Sequence, residues 1–243
     1  MQFYMVTDKG LLREINEDFC LSGIINGYTV LILADGMGGH NGGETASKIA
    51  GEFIFGYLKE NLKENMLPGQ IMLMLPEAFE KANSRILRIS EENPELSGMG
   101  TTADVLIYKN NVAYIAHIGD GRIYTLSPKG ELHLITKDHS LVEYMIETGA
   151  ITREQAAGHP QKNIITKALG ISRDVDADVF RTEAEPCEFF LMCSDGLTNM
   201  VSEETMAKTI LSGKNVEKTA KKLIKLANSA GGNDNITVIL AKA

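Results

Sequence analysis

Tyr28-Thr29-Val30-Leu31-Ile32-Leu33-Ala34-Asp35-Gly36 is an apolar run that ends in an aspartate and a glycine. Such a run of Val, Ile and Leu reads as a buried strand, which places the Asp35 carboxylate at the rim of a sheet. The pattern recurs in Ala116-His117-Ile118-Gly119-Asp120-Gly121 and in Phe189-Phe190-Leu191-Met192-Cys193-Ser194-Asp195-Gly196. It appears in reverse order in Gly231-Gly232-Asn233-Asp234-Asn235, which leads into Ile236-Thr237-Val238-Ile239-Leu240. Asp-Gly is also a common turn dipeptide, so each of these taken alone reads as a turn. Four at strand ends are harder to dismiss. Carboxylates that converge with no basic partner in their own loops repel one another unless a cation lies between them. Oxygen-only donors then point to a hard divalent ion, magnesium or manganese, rather than zinc or copper.

Around these runs, strands are expected near residues 2–6, 18–25, 28–34, 101–108, 111–118, 122–126, 131–135, 187–193 and 236–241. Most come in adjacent pairs joined by short turns such as Lys109-Asn110-Asn111 and Ser127-Pro128-Lys129-Gly130, which favours antiparallel sheets. Apolar residues at helical spacing interrupt them. One set runs from Ala46 to Leu58, a second from Ile71 to Ile89 and a third from Val216 to Ala227. The expected class is α+β, two antiparallel sheets with helices packed outside both.

At 243 residues, with no Pro-, Ser- or Gly-rich linker, the chain is expected to be a single domain, 1–243. Its 44% hydrophobic and 23% charged residues suit a soluble globular protein. A net charge of −8 argues against a nucleic-acid partner, and Lys214 to Lys225 alternates with apolar residues as a solvated helix face does. Three cysteines, Cys20, Cys187 and Cys193, cannot all pair and lack metal-ligand spacing, which points to a reducing compartment. No apolar stretch is long enough for a membrane span, and residues 1–8 lack the features of a signal peptide. A cytoplasmic monomer is expected.

Six motifs occur in order: Asn16-Glu17-Asp18, Ala34-Asp35-Gly36-Met37-Gly38-Gly39-His40, Gly98-Met99-Gly100-Thr101-Thr102, Gly119-Asp120-Gly121-Arg122, Ser194-Asp195-Gly196-Leu197 and Gly232-Asn233-Asp234-Asn235-Ile236-Thr237. Together they resemble the PPM, or type 2C, metal-dependent serine/threonine protein phosphatases in their compact bacterial form. The resemblance runs from Thr7 to Val238. It implies a four-layer α-β-β-α sandwich and hydrolysis of phosphoserine and phosphothreonine on proteins, the substrates of a bacterial Ser/Thr kinase. In two-metal hydrolysis a water bridging two divalent ions attacks phosphorus in line, while the ions neutralise the phosphoryl oxygens.

By this resemblance the cofactors are Mn²⁺ or Mg²⁺, two ions in the core site and a third, weaker one. Asp35 bridges both core ions, the Gly36 carbonyl touches one, and Asp195 and Asp234 hold the other. Glu17 and Asp18 supply the remaining acidic contact, directly or through water. Asp120, with Asp195, matches the third site. The usual motif there is Gly-Asp-Ser-Arg, and this chain departs from it with Gly121; Asn199 likewise stands where some members carry a carboxylate. Arg13 matches the phosphate-binding arginine, whose planar fork suits two phosphoryl oxygens. From local sequence alone it reads as a surface ion pair with Glu14 or Glu17. His40 is the histidine available as a general acid, and a solvated loop side chain is the other reading. His117 is expected to be a satisfied core residue, and His139 and His159 to be structural. The segment 140–163, with capping-box spacing at Thr152-Arg153-Glu154-Gln155, resembles the family's flap, and a plain helical connection is its other reading.

Two other phosphate chemistries are excluded. Gly38 to Thr45 has P-loop glycine spacing, but Glu44 occupies the lysine position and repels phosphate. A cysteine phosphatase needs Arg six residues beyond Cys, and here Asn26, Cys193 and Asn199 stand there. A catalytically silent phosphoprotein-binding domain of the same fold remains the alternative.

Overall fold

The computed structural model describes residues 1–38, 42–184 and 189–243. Three strands open the chain: β1 (Gln2–Asp8), β2 (Asp18–Ile25) and β3 (Tyr28–Met37). Helices α1 (Gly42–Asn61) and α2 (Pro68–Glu92) follow. Next come β4 (Gly100–Thr101), β5 (Ala103–Lys109), β6 (Val112–Ile118), β7 (Arg122–Leu126) and β8 (Leu132–Leu134). Short helices α3 (Leu141–Glu147) and α4 (Arg153–Ala157) precede β9 (Asp178–Glu183) and β10 (Phe189–Cys193). Helices α5 (Asp195–Thr198), α6 (Glu203–Ser212) and α7 (Val216–Ser229) lead to β11 (Ile236–Lys242).

The strands form two antiparallel sheets, ordered β1-β11-β10-β7-β8 and β2-β3-β5-β6-β9, with β4 paired to β3. Alternation along each strand builds three apolar layers. Leu31, Leu33, Leu106, Phe190, Met192 and Ile239 fill the space between the sheets. Val30, Ile32, Val105 and Ile107 point the other way, against Ile54, Leu58, Leu75 and Phe79 of α1 and α2. On the far side Leu191, Val238 and Leu240 pack against Met206 of α6 and Leu223 of α7. Burial on both faces explains the unbroken apolar runs, and the result is the α-β-β-α sandwich.

Asn110 and Asn111 both adopt positive φ, 51° and 62°, as the two-residue turn of a tight hairpin requires. The structure adds β9, α5 and α6, which periodicity did not single out. Gln2–Asp8 also extends two residues beyond the expected 2–6. Among the described residues no helix is long and apolar enough to cross a membrane.

Candidate metal and phosphate site

Antiparallel pairing brings the aspartate-bearing ends to one edge of the sandwich. Asp18 opens β2 and lies directly opposite Asp35 across the β2-β3 ladder. Like charges so placed are destabilising without a counter-ion. Cys193, at the end of β10, pairs with Val238 near the start of β11, so Asp195 and Asp234 flank one another just beyond that pair. Arg122 opposes Cys193 on the other side. The Gly119-Asp120-Gly121 turn, which passes from β6 in one sheet to β7 in the other, therefore reaches the same edge.

The loop before β2 is held by Asn235, a residue of the last motif whose role is visible only in the fold. Its Nδ2 donates to the carbonyls of Lys9 and Ile15, both at 2.9 Å, and its Oδ1 accepts from the Glu17 N–H at 2.8 Å. Gly36 sits where backbones meet: a Cβ there would lie 2.1 Å from the Gly43 carbonyl oxygen. Only glycine fits without displacing that segment. Thr102 Oγ1 accepts from the Asp35 N–H at 2.9 Å, and Thr101 Oγ1 donates to the Asp35 carbonyl.

Asp18 is buried. Its Oδ2 accepts from Ser194 Oγ at 2.8 Å and from Thr237 Oγ1 at 2.6 Å. Its Oδ1, like Glu17 Oε1, is buried without a hydrogen-bond partner among the described residues. Burial pushes the Asp18 carboxyl up to about 7 against those two hydroxyls, with Asp195 and Asp234 adding to the rise. Burial likewise holds Asp35 well above the usual carboxylate range, with Asp18, Asp195, Asp120 and Asp234 adding repulsion. Asp120 is raised to about 8 by burial and then by Asp195 and Asp138. Asp195 rises to about 6 through burial and Asp234, opposed by Arg13 and by Asn199, whose Nδ2 donates to Asp195 Oδ2 at 2.9 Å.

Arg13 pairs with neither Glu14 nor Glu17. Its Nη2 donates to Asp234 Oδ2 at 2.8 Å, 221 residues along the chain. Asp138, also at this edge, is taken by a bidentate pair with Arg122 at 2.8 and 2.7 Å. His117 is buried with a partner at each ring nitrogen, as a core histidine should be. His40 lies outside the described residues.

A hard cation suits this set. The donors are oxygens, two carboxylate oxygens are buried and unpartnered, and the mutual repulsion is relieved by positive charge. Among the described residues no three acidic, histidine or cysteine side chains form a ready-made metal cage. An ion such as Mg²⁺ keeps several waters and takes only one or two carboxylates, so it does not require one.

The raised carboxyls give a stability prediction. A carboxyl whose folded pKa exceeds its unfolded value of about 4 favours folding while protonated, and that contribution is lost as pH rises through the folded value. For Asp195, Asp18 and Asp120 that window runs up to about 6, 7 and 8. Thermal melts in chelator should therefore show a Tm lower at about pH 8.5 than at about pH 5, by about 4 °C or more. Manganese should largely restore the loss at the higher pH. A Tm that rises over this range, with no added effect of manganese, would contradict the electrostatic account.

On one side of the site lies a cleft of about 460 Å³ lined by Asp120, Asp195 and Asn199, and across from them by Glu143, Ile146 and Arg153. The latter three belong to the expected flap. Thr152 caps α4 reciprocally with Gln155, as its spacing predicts. Arg153 reaches Glu143 at 3.0 Å and ties α4 to α3. The segment joins the sandwich at a neck where Ser140 bridges Ile165 and the Thr166 N–H donates to the His139 carbonyl at 2.8 Å.

Comparison with known proteins agrees with this architecture. The profile of the protein phosphatase 2C family matches residues 13–239. The serine/threonine phosphatase stp of Listeria monocytogenes is 38% identical over 239 residues, covering 97% of this chain and 93% of that protein. The crystal structure of the serine/threonine phosphatase Stp1 from Staphylococcus aureus superposes with a TM-score of 0.94 at 32% identity, covering 100% of this chain and 94% of that one. That of the Mycobacterium tuberculosis serine/threonine phosphatase PstP/Ppp gives 0.87 at 36% identity, covering 99% and 97%. A two-sheet sandwich with an acidic edge defines the class, and the chain belongs to the protein phosphatase 2C family. Phosphatases of that family are metal-dependent.

Proposed function

We propose that this chain removes phosphate from phosphoserine and phosphothreonine in proteins, with residues 1–243 acting as one catalytic unit. The observation that carries the reading is the convergence of Asp18, Asp35, Asp195 and Asp234, with an unpartnered Asp18 oxygen, beside Arg13. Two Mn²⁺ or Mg²⁺ ions would be held by Asp35, the Gly36 carbonyl, Asp195 and Asp234, with Asp18 and Glu17 as the remaining acidic contacts, and Asp120 with Asp195 would hold a third, weaker one. Bound ions supply water activation and neutralise phosphoryl charge.

The chain's own residues do the rest. Ser194 and Thr237 fix one oxygen of Asp18 and leave the other for an ion or its water. Arg13 orients the phosphoryl group: its pair with Asp234 is half-exposed, worth at most about 1 kcal/mol, so the guanidinium can be shared with an incoming anion at little cost. His40 is the candidate proton donor to the leaving oxygen. The substrates are phosphoproteins made by a Ser/Thr kinase, and the protein works in the cytoplasm as a monomer.

Phosphate release from a phosphothreonine peptide should require manganese and stop with chelator. Binding of the peptide without turnover would favour the silent domain. The flap, 140–163, is proposed to contact protein substrates. Shortening it should change kcat/KM on a phosphoprotein by about tenfold or more while leaving a small aryl phosphate within about twofold. Equal effects on both substrates would reduce it to a helical connection.

A further inference from the structure

Beside the Asp120 turn, β5 and β6 carry a polar pair that the catalytic reading does not use. Asp104 and His117 face each other across these strands, both fully buried. Asp104 Oδ1 lies 2.7 Å from His117 Nδ1, and His117 Nε2 lies 2.9 Å from the Lys137 carbonyl oxygen. A carbonyl only accepts, so Nε2 carries a proton. The His117 ring packs on His139 with centroids 4.8 Å apart. His139 holds the turn twice: its backbone N–H donates to the Gly119 carbonyl at 2.7 Å, and its Nδ1 accepts from the Gly119 N–H at 3.1 Å. Nε2 of the same ring is 3.3 Å from Asp178 Oδ2.

Asp104 touches the other end of the turn. Its Oδ2 is buried with no hydrogen-bond partner among the described residues, and a Cβ at Gly121 would lie 2.0 Å from it. The carboxylate fills the space that any side chain at 121 would need, which explains why this turn reads Gly-Asp-Gly. The turn is thus wedged at Gly121 and clamped at Gly119, with Asp120 between.

We infer that Asp104 and His117 are positioning residues for Asp120, fixing its turn by the Asp104 wedge against Gly121 and by the His139 clamp that His117 supports. The inference rests on the reading of Asp120 as a cation ligand. Outer-shell partners of this kind change metal affinity by about 10- to 100-fold when removed.

The test is manganese binding to chelator-treated protein, without substrate, followed by loss of the free-ion EPR signal. Asp120→Asn serves as reference and should weaken the weakest class of site. Asp104→Ala should weaken that same class by about tenfold or more. Asp104→Asn keeps the shape and can donate to a neutral His117 Nδ1, so it should stay within about threefold of wild type. Gly121→Ala presses on Oδ2 from the opposite side and removes no polar group; it too should weaken the site by about tenfold, and it decides the matter if Asp104→Ala does not fold. Wild-type binding in both Asp104→Ala and Gly121→Ala, or a loss in Asp104→Asn as large as in Asp104→Ala, would overturn the inference while leaving the Asp120 assignment intact. An unchanged Asp120→Asn would remove the ligand assignment and the inference with it.

Discussion

Asp195→Asn and Asp234→Asn are each expected to lower phosphopeptide hydrolysis by about a thousandfold or more at saturating manganese, with the fold retained. Asparagine keeps the size and one oxygen of aspartate but removes the charge that holds a divalent ion. The two sites are not equivalent. Asp195 is bonded to Asn199 and raised by burial, so its neutral replacement relieves repulsion within the cluster. Asp234 also holds Arg13, so its replacement frees that guanidinium as well. In chelator, Asp195→Asn should therefore melt no lower than wild type at about pH 8.5, although it is nearly inactive. Turnover close to wild type in either variant would remove these residues from metal binding.

Arg13→Ala is expected to lower kcat/KM by about 30- to 1,000-fold, equivalent to about 2–4 kcal/mol of transition-state binding. Inhibition by free phosphate should weaken in parallel. Lysine should rescue poorly, because a point charge on a flexible stem does not reproduce a planar fork. An alternative role, in which Arg13 only neutralises Asp234, predicts a different pattern: lysine would rescue well and phosphate inhibition would not change. The comparison of Arg13→Lys with Arg13→Ala separates the two.

The fold was legible wherever strands were buried on both faces, because continuous apolar runs such as Val30 to Ala34 leave little choice. It was not legible at β9, where Asp178–Glu183 contributes only Val179 and Phe180 to the apolar layers. The candidate ligands stood out for the same reason as the strands: Asp35, Asp120, Asp195 and Asp234 each adjoin a buried run. Their partners did not. Asp18 against Asp35 is set by the register of the β2-β3 hairpin, whereas Arg13 to Asp234 and Asn235 to Lys9 join residues 221 and 226 apart in the chain. Asp104 is the plainest case. In sequence it is one acidic residue in an apolar strand, and only its cross-strand partner His117 and the glycine it abuts give it a role.

The most direct measurement is anomalous diffraction from crystals soaked in manganese. Two strong peaks are expected at the edge of the sandwich, both near Asp35, one also near the Gly36 carbonyl and the other near Asp195 and Asp234. A weaker third peak should lie between Asp120 and Asp195. Manganese bound elsewhere, with Asp35, Asp195 and Asp234 free of it at concentrations that support turnover, would rule out these aspartates as the ligands of the catalytic ions.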